Sequence, residues 1–142
     1  MLIKLVSTFH LALSVGAFFA GISMLPGMGI FVEFPPEWVG IMPFSSWTAL
    51  AVFGMMVFGV GNAIAALYGF TKKNPKLFLF TISLGILLFC SAAMPIVLLG
   101  DWYLPLVYFF ALSFMQISFG LFGMFYKHKA KAASSRSQKL TH

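Results

Sequence analysis

Charge is what this chain lacks most. Charged residues make up 8% of its 142 residues, and only three of them are acidic. A water-soluble domain carries roughly 25% charged residues. Hydrophobic residues here reach 61%, with a mean hydropathy of +0.98. That balance excludes a soluble domain, which would have too little polar surface to show to water. The three acids, Glu33, Glu37 and Asp101, all lie between the apolar stretches. A proton-coupled transporter that binds its proton on an intramembrane carboxylate is therefore excluded. The one cysteine, Cys90, lies mid-way along an apolar run, which excludes an internal disulfide and any zinc-type cysteine spacing. Of the histidines only His10 lies in an apolar run, so no haem is expected between two histidines of this chain. A Gly-rich phosphate loop, a His-rich metal motif and a Ser/His/Asp set are missing as well. No catalytic residue, metal or cofactor is expected.

What is present is apolar length. Four stretches, about 5–25, 46–70, 77–99 and 105–126, contain no Asp, Glu, Lys or Arg. Each reaches about 20 residues, the length that crosses a hydrocarbon core of roughly 30 Å as a helix. In lipid each backbone polar group must find its partner inside the segment, which helices achieve. The expected fold is an all-α membrane protein with four transmembrane helices in an antiparallel up-down bundle. Residues 1–126 form that domain. The first run is longer than the apolar core of a signal peptide and is expected to remain as a span.

The basic residues set the orientation. All nine Lys and Arg fall at Lys4, in Lys72–Lys76, or from Lys127 onward. With both termini in the cytoplasm every one of them lies inside and all three acids lie outside, as the positive-inside bias requires. Trp38, Trp47, Trp102 and Tyr103 then gather at the outer interface. The outer loop 26–45 mixes apolar residues with two acids. A short helix from Pro36 is expected there, anchored at the interface by Trp38 and Ile41. Residues 127–142 form a basic cytoplasmic tail, frayed beyond about Ala133, whose Lys127, Lys129 and Lys131 meet anionic lipid. The clustering of charge at span ends, with aromatics inside the apolar runs, speaks against a nucleic-acid partner.

Three polar side chains inside the runs stand out. His10, Asn62 and Gln116 fall in the inner half of the first, second and fourth spans, where they form interhelical hydrogen bonds or a polar pocket for a lipid, quinone or small solute. Small residues mark packing faces: Gly16, Ala20 and Gly21 in the first span, Gly54, Gly59 and Gly61 in the second, Gly120 and Gly123 in the fourth. They pack within the bundle or form a homodimer face. Pro95 is expected to kink the third span. Ser14, Gly16 and Pro26 recur at constant offset as Ser83, Gly85 and Pro95, which suggests two hairpins related as a parallel repeat.

The runs Phe9–Gly21, Met42–Ser46, Gly59–Ala66 and Trp102–Tyr108 resemble a group of small bacterial four-helix membrane proteins that are in turn distantly similar to the DoxX-type family. The Pro43-Phe44-Ser45 entry and the Gly59-Val60-Gly61-Asn62 segment are the most specific parts of the likeness, which covers most of Phe9–Tyr126. The resemblance implies a bacterial inner-membrane fold and, through the DoxX-type link, a quinone-linked redox accessory role. The residues themselves favour a non-enzymatic accessory or interaction protein, working in the lipid bilayer as a homodimer or within a larger membrane complex. A binder or carrier of a small lipophilic molecule is the alternative.

Overall fold

The computed structural model describes residues 1–100 and 102–140. Asp101, expected at the outer face, and the final two residues of the tail lie outside the described residues. Among the described residues the ordered structure is entirely helical. Helix α1 covers Leu2–Met24. The second span, Trp47–Lys72, is built from α2 (Trp47–Gly54), a π-helical segment (Met55–Val60) and α3 (Gly61–Lys72). Helices α4 (Lys76–Leu99) and α5 (Leu104–Leu140) complete the chain. Four helices are thus long and apolar enough to cross a membrane, which is the signature of a multi-pass membrane protein.

Local chemistry explains most of the boundaries. Ser46 has extended backbone, and its hydroxyl accepts the Ala49 N–H at 3.1 Å to cap α2. Helix α3 stops at Lys73, which takes the left-handed conformation with φ +48°. The Asn74 side chain then accepts the Lys76 N–H at 3.0 Å, and Pro75 stands at the entry of α4. Gly100, with φ +71°, closes α4 in the left-handed region that a glycine enters without steric cost. Pro95 lies inside α4 on its buried side, in the last turns before Leu99.

The tail departs from expectation. Helix α5 continues unbroken to Leu140 instead of fraying near Ala133. The run Lys127-His-Lys-Ala-Lys-Ala-Ala is rich in good helix formers and holds no Gly or Pro to end the helix.

Burial is inverted relative to a soluble protein. The largest fully buried side chains are Leu77, His10, Gln116, Val6, Asn62, Thr81, Ser7 and Ser113, mostly polar. Phe19, Ile30, Val97 and Phe125 meanwhile stand more than half exposed. Lipid is the solvent in which both halves of that pattern are favourable, since polar groups must then find partners inside.

Helices α4 and α5 form the closest pair, and α1 packs mainly along the second span. Glycines make the contacts. A Cβ on Gly120 would stand 2.8 Å from the Phe78 backbone oxygen, and one on Gly123 would enter the Phe78 ring. Gly85 meets Ser113 and Ile117, Gly59 lies under the Phe18 ring, Gly61 faces Leu84, and Gly21 faces Met55. Two expected packing positions do not pack: a Cβ at Gly16 or Gly54 would have nothing within 4 Å. Both faces of these helices are apolar, so glycine alone does not say which side is inward. Ala20, on α1, is half-buried. The echo between the first and third spans is not structural either. Ser14 is buried and bonds across to Gly59, whereas Ser83 is exposed and bonds its own helix at Leu79.

Candidate functional site

The four spans meet at a set of buried polar side chains. His10 comes from α1, Asn62 from α3, Thr81 from α4 and Gln116 from α5, each at most 2% exposed. His10 Nδ1 lies 2.6 Å from Asn62 Oδ1, and Nε2 lies 2.8 Å from Thr81 Oγ1. Gln116 Nε2 donates to the same Asn62 oxygen at 3.1 Å. Asn62 Nδ2 donates to the Phe58 carbonyl at 2.7 Å, which fixes the amide so that Oδ1 faces His10 and Gln116.

The acceptors assign the tautomer. Asn62 Oδ1 can only accept, so His10 Nδ1 carries the proton and donates. In the neutral ring Nε2 then accepts from the Thr81 hydroxyl at 2.8 Å, whose single hydrogen is shared with the Leu77 carbonyl at 2.8 Å. Every span is tied to at least one other by these bonds, and His10 and Asn62 bind α1 and α3 to α4 and α5.

The π segment supports this knot. A π turn widens the helix and loosens its backbone pairing. Here two of its carbonyls receive side chains: Phe58 O from Asn62, and Gly59 O from the Ser14 hydroxyl at 2.7 Å. The turn places Gly59, Asn62, Ala65, Ala66 and Gly69 on the buried side of the second span. One atom of the knot is left over. Gln116 Oε1 is buried and has no hydrogen-bond partner among the described residues.

No protein-family model, curated protein or solved structure matches the chain.

His10, Asn62 and Gln116, singled out from sequence, are therefore brought together by direct hydrogen bonds. They line neither the cleft at the basic end nor the small groove between Tyr68 and Leu84. Thr81 was not singled out. The signal was its depth, little more than one turn beyond Lys76 and level with His10 beyond Lys4.

At the other end of the spans the loop closes down on aromatic rings. Trp38 packs at 5.6 Å from Phe34, 5.9 Å from Trp47 and 5.5 Å from Tyr103, mostly edge to face. The expected short helix is present as a 3₁₀ turn at Pro36–Trp38. Trp38 is not a lipid-facing anchor, however: it is 7% exposed, because the surrounding rings cover it. Ile41 and Trp102 do remain exposed. Trp47 Nε1 donates to the Glu33 carbonyl at 2.8 Å, while Trp38 Nε1 is buried with no hydrogen-bond partner among the described residues. Trp38→Phe is expected to change stability by under about 1 kcal/mol, since it keeps the ring contacts and deletes an unpaired donor. Trp38→Ala should cost about 3 kcal/mol through the void it leaves. Thermal unfolding in detergent, followed by near-ultraviolet dichroism, compares the two.

Proposed function

We propose that this chain is a non-enzymatic accessory protein of a bacterial inner membrane. It forms an antiparallel up-down bundle with both termini in the cytoplasm, and it acts through contacts that its outer surface makes with a second copy or a larger membrane complex. One observation carries the reading: the polar side chains inside the spans are spent on holding the helices together. What remains for function is the exterior. The orientation is supported by the nine basic residues, all at one end of the spans. A reporter fused after Lys73 and one fused after Gly40 should therefore report opposite sides of the membrane, the first cytoplasmic. A periplasmic signal at Lys73 would reverse the assignment.

Self-association is testable without harming the fold. Thr8, Ala12 and Gly16 are exposed on α1, and Ala20 continues their small-xxx-small spacing. A Cβ added at Gly16 would have nothing packed within 4 Å of it, so Gly16→Leu projects from an open face. It is expected to shift a homodimer towards monomer in native mass measurement while leaving thermal unfolding unchanged. Strictly monomeric wild-type protein would remove the homodimer and leave only a hetero-complex.

A second reading, a binder of a small lipophilic molecule at the polar knot, is favoured by the unpaired Gln116 Oε1. A buried acceptor invites a donor from water or a bound hydroxyl. Extraction of purified protein should then yield a lipid or quinone that Gln116→Leu no longer retains.

A further inference from the structure

The basic end of the molecule holds a cleft of about 490 Å³ between the start of α1, the turn joining α3 to α4, and α5. Phe78 and Gly123 line its apolar part, and Lys4, Lys73 and Lys127 border it from three separate elements. Every other lining residue is uncharged in its side chain, and no carboxylate is among them. Gly123 leaves room there because its missing side chain accommodates the Phe78 ring.

We propose that this cleft is a specific site for a phospholipid with a negatively charged headgroup. The phosphate lies among the three ammonium groups, and an acyl chain runs along Phe78 and Tyr126. Three features select this occupant. Three lysines border the cleft with no acid among its lining residues to neutralise them, which calls for an anion. The walls below them are apolar, which a free soluble anion would leave uncovered. A zwitterionic headgroup would bring its own cation to a rim that offers it no carboxylate. Basic pockets between helix ends are a recurrent way of holding anionic headgroups. The site differs from simple attraction of the tail to a charged surface, because Lys129 and Lys131 do not line it.

The test is native mass spectrometry of the full chain in detergent, with phosphatidylglycerol and phosphatidylcholine added in equal amounts. The wild type should retain phosphatidylglycerol in preference. Each cleft lysine is worth about fivefold in that preference. Lys4→Gln, Lys73→Asn and Lys127→Gln combined should bring the ratio close to one. Asparagine is chosen at position 73 because it tolerates the left-handed backbone there. Lys127→Gln alone, on an exposed part of α5, should lower the ratio about fivefold if the triple variant does not fold. Lys129→Gln with Lys131→Gln should leave it unchanged. Equal retention of the two lipids by the wild type would overturn the proposal. So would an unchanged ratio in the cleft variants, or an equal fall in the Lys129/Lys131 variant, which would mark diffuse attraction. Displacement of the lipid by excess inorganic phosphate would assign the lysines to a soluble anion instead.

Discussion

Gly120→Leu is expected to prevent the four helices from assembling. At this position α5 comes so close to α4 that even a methyl group would meet the Phe78 backbone oxygen at 2.8 Å, as well as the Ile82 side chain. A side chain can rotate away, but a backbone oxygen moves only with its helix. Gly120→Ala measures the smaller version of the effect. Overpacking costs about 1–3 kcal/mol, and the gain in helix propensity over glycine returns about 1 kcal/mol. A net loss of up to about 2 kcal/mol follows. Leucine adds three more carbons with nowhere to go, so the helices must separate. Gly54→Leu is the matched control, since that site is open. Denaturant titration in mixed micelles, read by helicity and by gel-filtration profile, should find Gly54→Leu at least as stable as wild type, with Gly120→Ala below both and Gly120→Leu lowest. A Gly120→Leu protein as stable as wild type would mean that α4 and α5 do not approach as described.

His10→Ala should be the most damaging change at the polar knot, at about 3 kcal/mol. Two interhelical hydrogen bonds are lost, each worth roughly 0.6–1.7 kcal/mol in a membrane interior. The remainder comes from the ring-sized void. Thr81→Val is the informative contrast. It preserves the volume of the side chain and removes one interhelical bond together with the contact to the Leu77 carbonyl, so about 1–2 kcal/mol is expected. The double variant should cost less than the sum of the two, because the His10–Thr81 bond is lost in each single variant but only once in the double. Strict additivity in that cycle would argue against the His10–Thr81 bond. If His10→Ala were neutral, the knot would be a bystander, and its polar groups would be free for a role other than holding the helices together.

Much of this architecture is legible before any coordinates. The four spans follow from the absence of charge, because an ion in hydrocarbon is costly wherever it sits. The convergence of His10, Asn62 and Gln116 could be read from their distance to the lysines at the span ends, which act as depth marks. Thr81 escaped notice because threonine in a membrane helix commonly bonds its own backbone, and here it does that as well. The inward or outward direction of each glycine was not legible. In soluble helices the polar face points outward and supplies the phase, but these helices are apolar all round, so Gly16 and Gly21 look alike in sequence and only Gly21 packs. The π segment was hidden for the same reason, since a shift of phase leaves no trace in a run of uniform hydropathy. The burial of Trp38 was missed because an indole suits both an interface and a packed core.

Helix α5 is longer than any bilayer needs. Its 37 residues reach about 55 Å at the α-helical rise, against a hydrocarbon core of roughly 30 Å. About 25 Å of continuous rod must then stand in the headgroup layer and the water beyond it. Because that stretch carries Lys129, Lys131 and Arg136 with no glycine or proline hinge, it behaves as a stiff mast. Whatever binds its far turns is held at a fixed stand-off from the lipid, and the direction of the mast is set by the packing of Gly120 and Gly123 deep below.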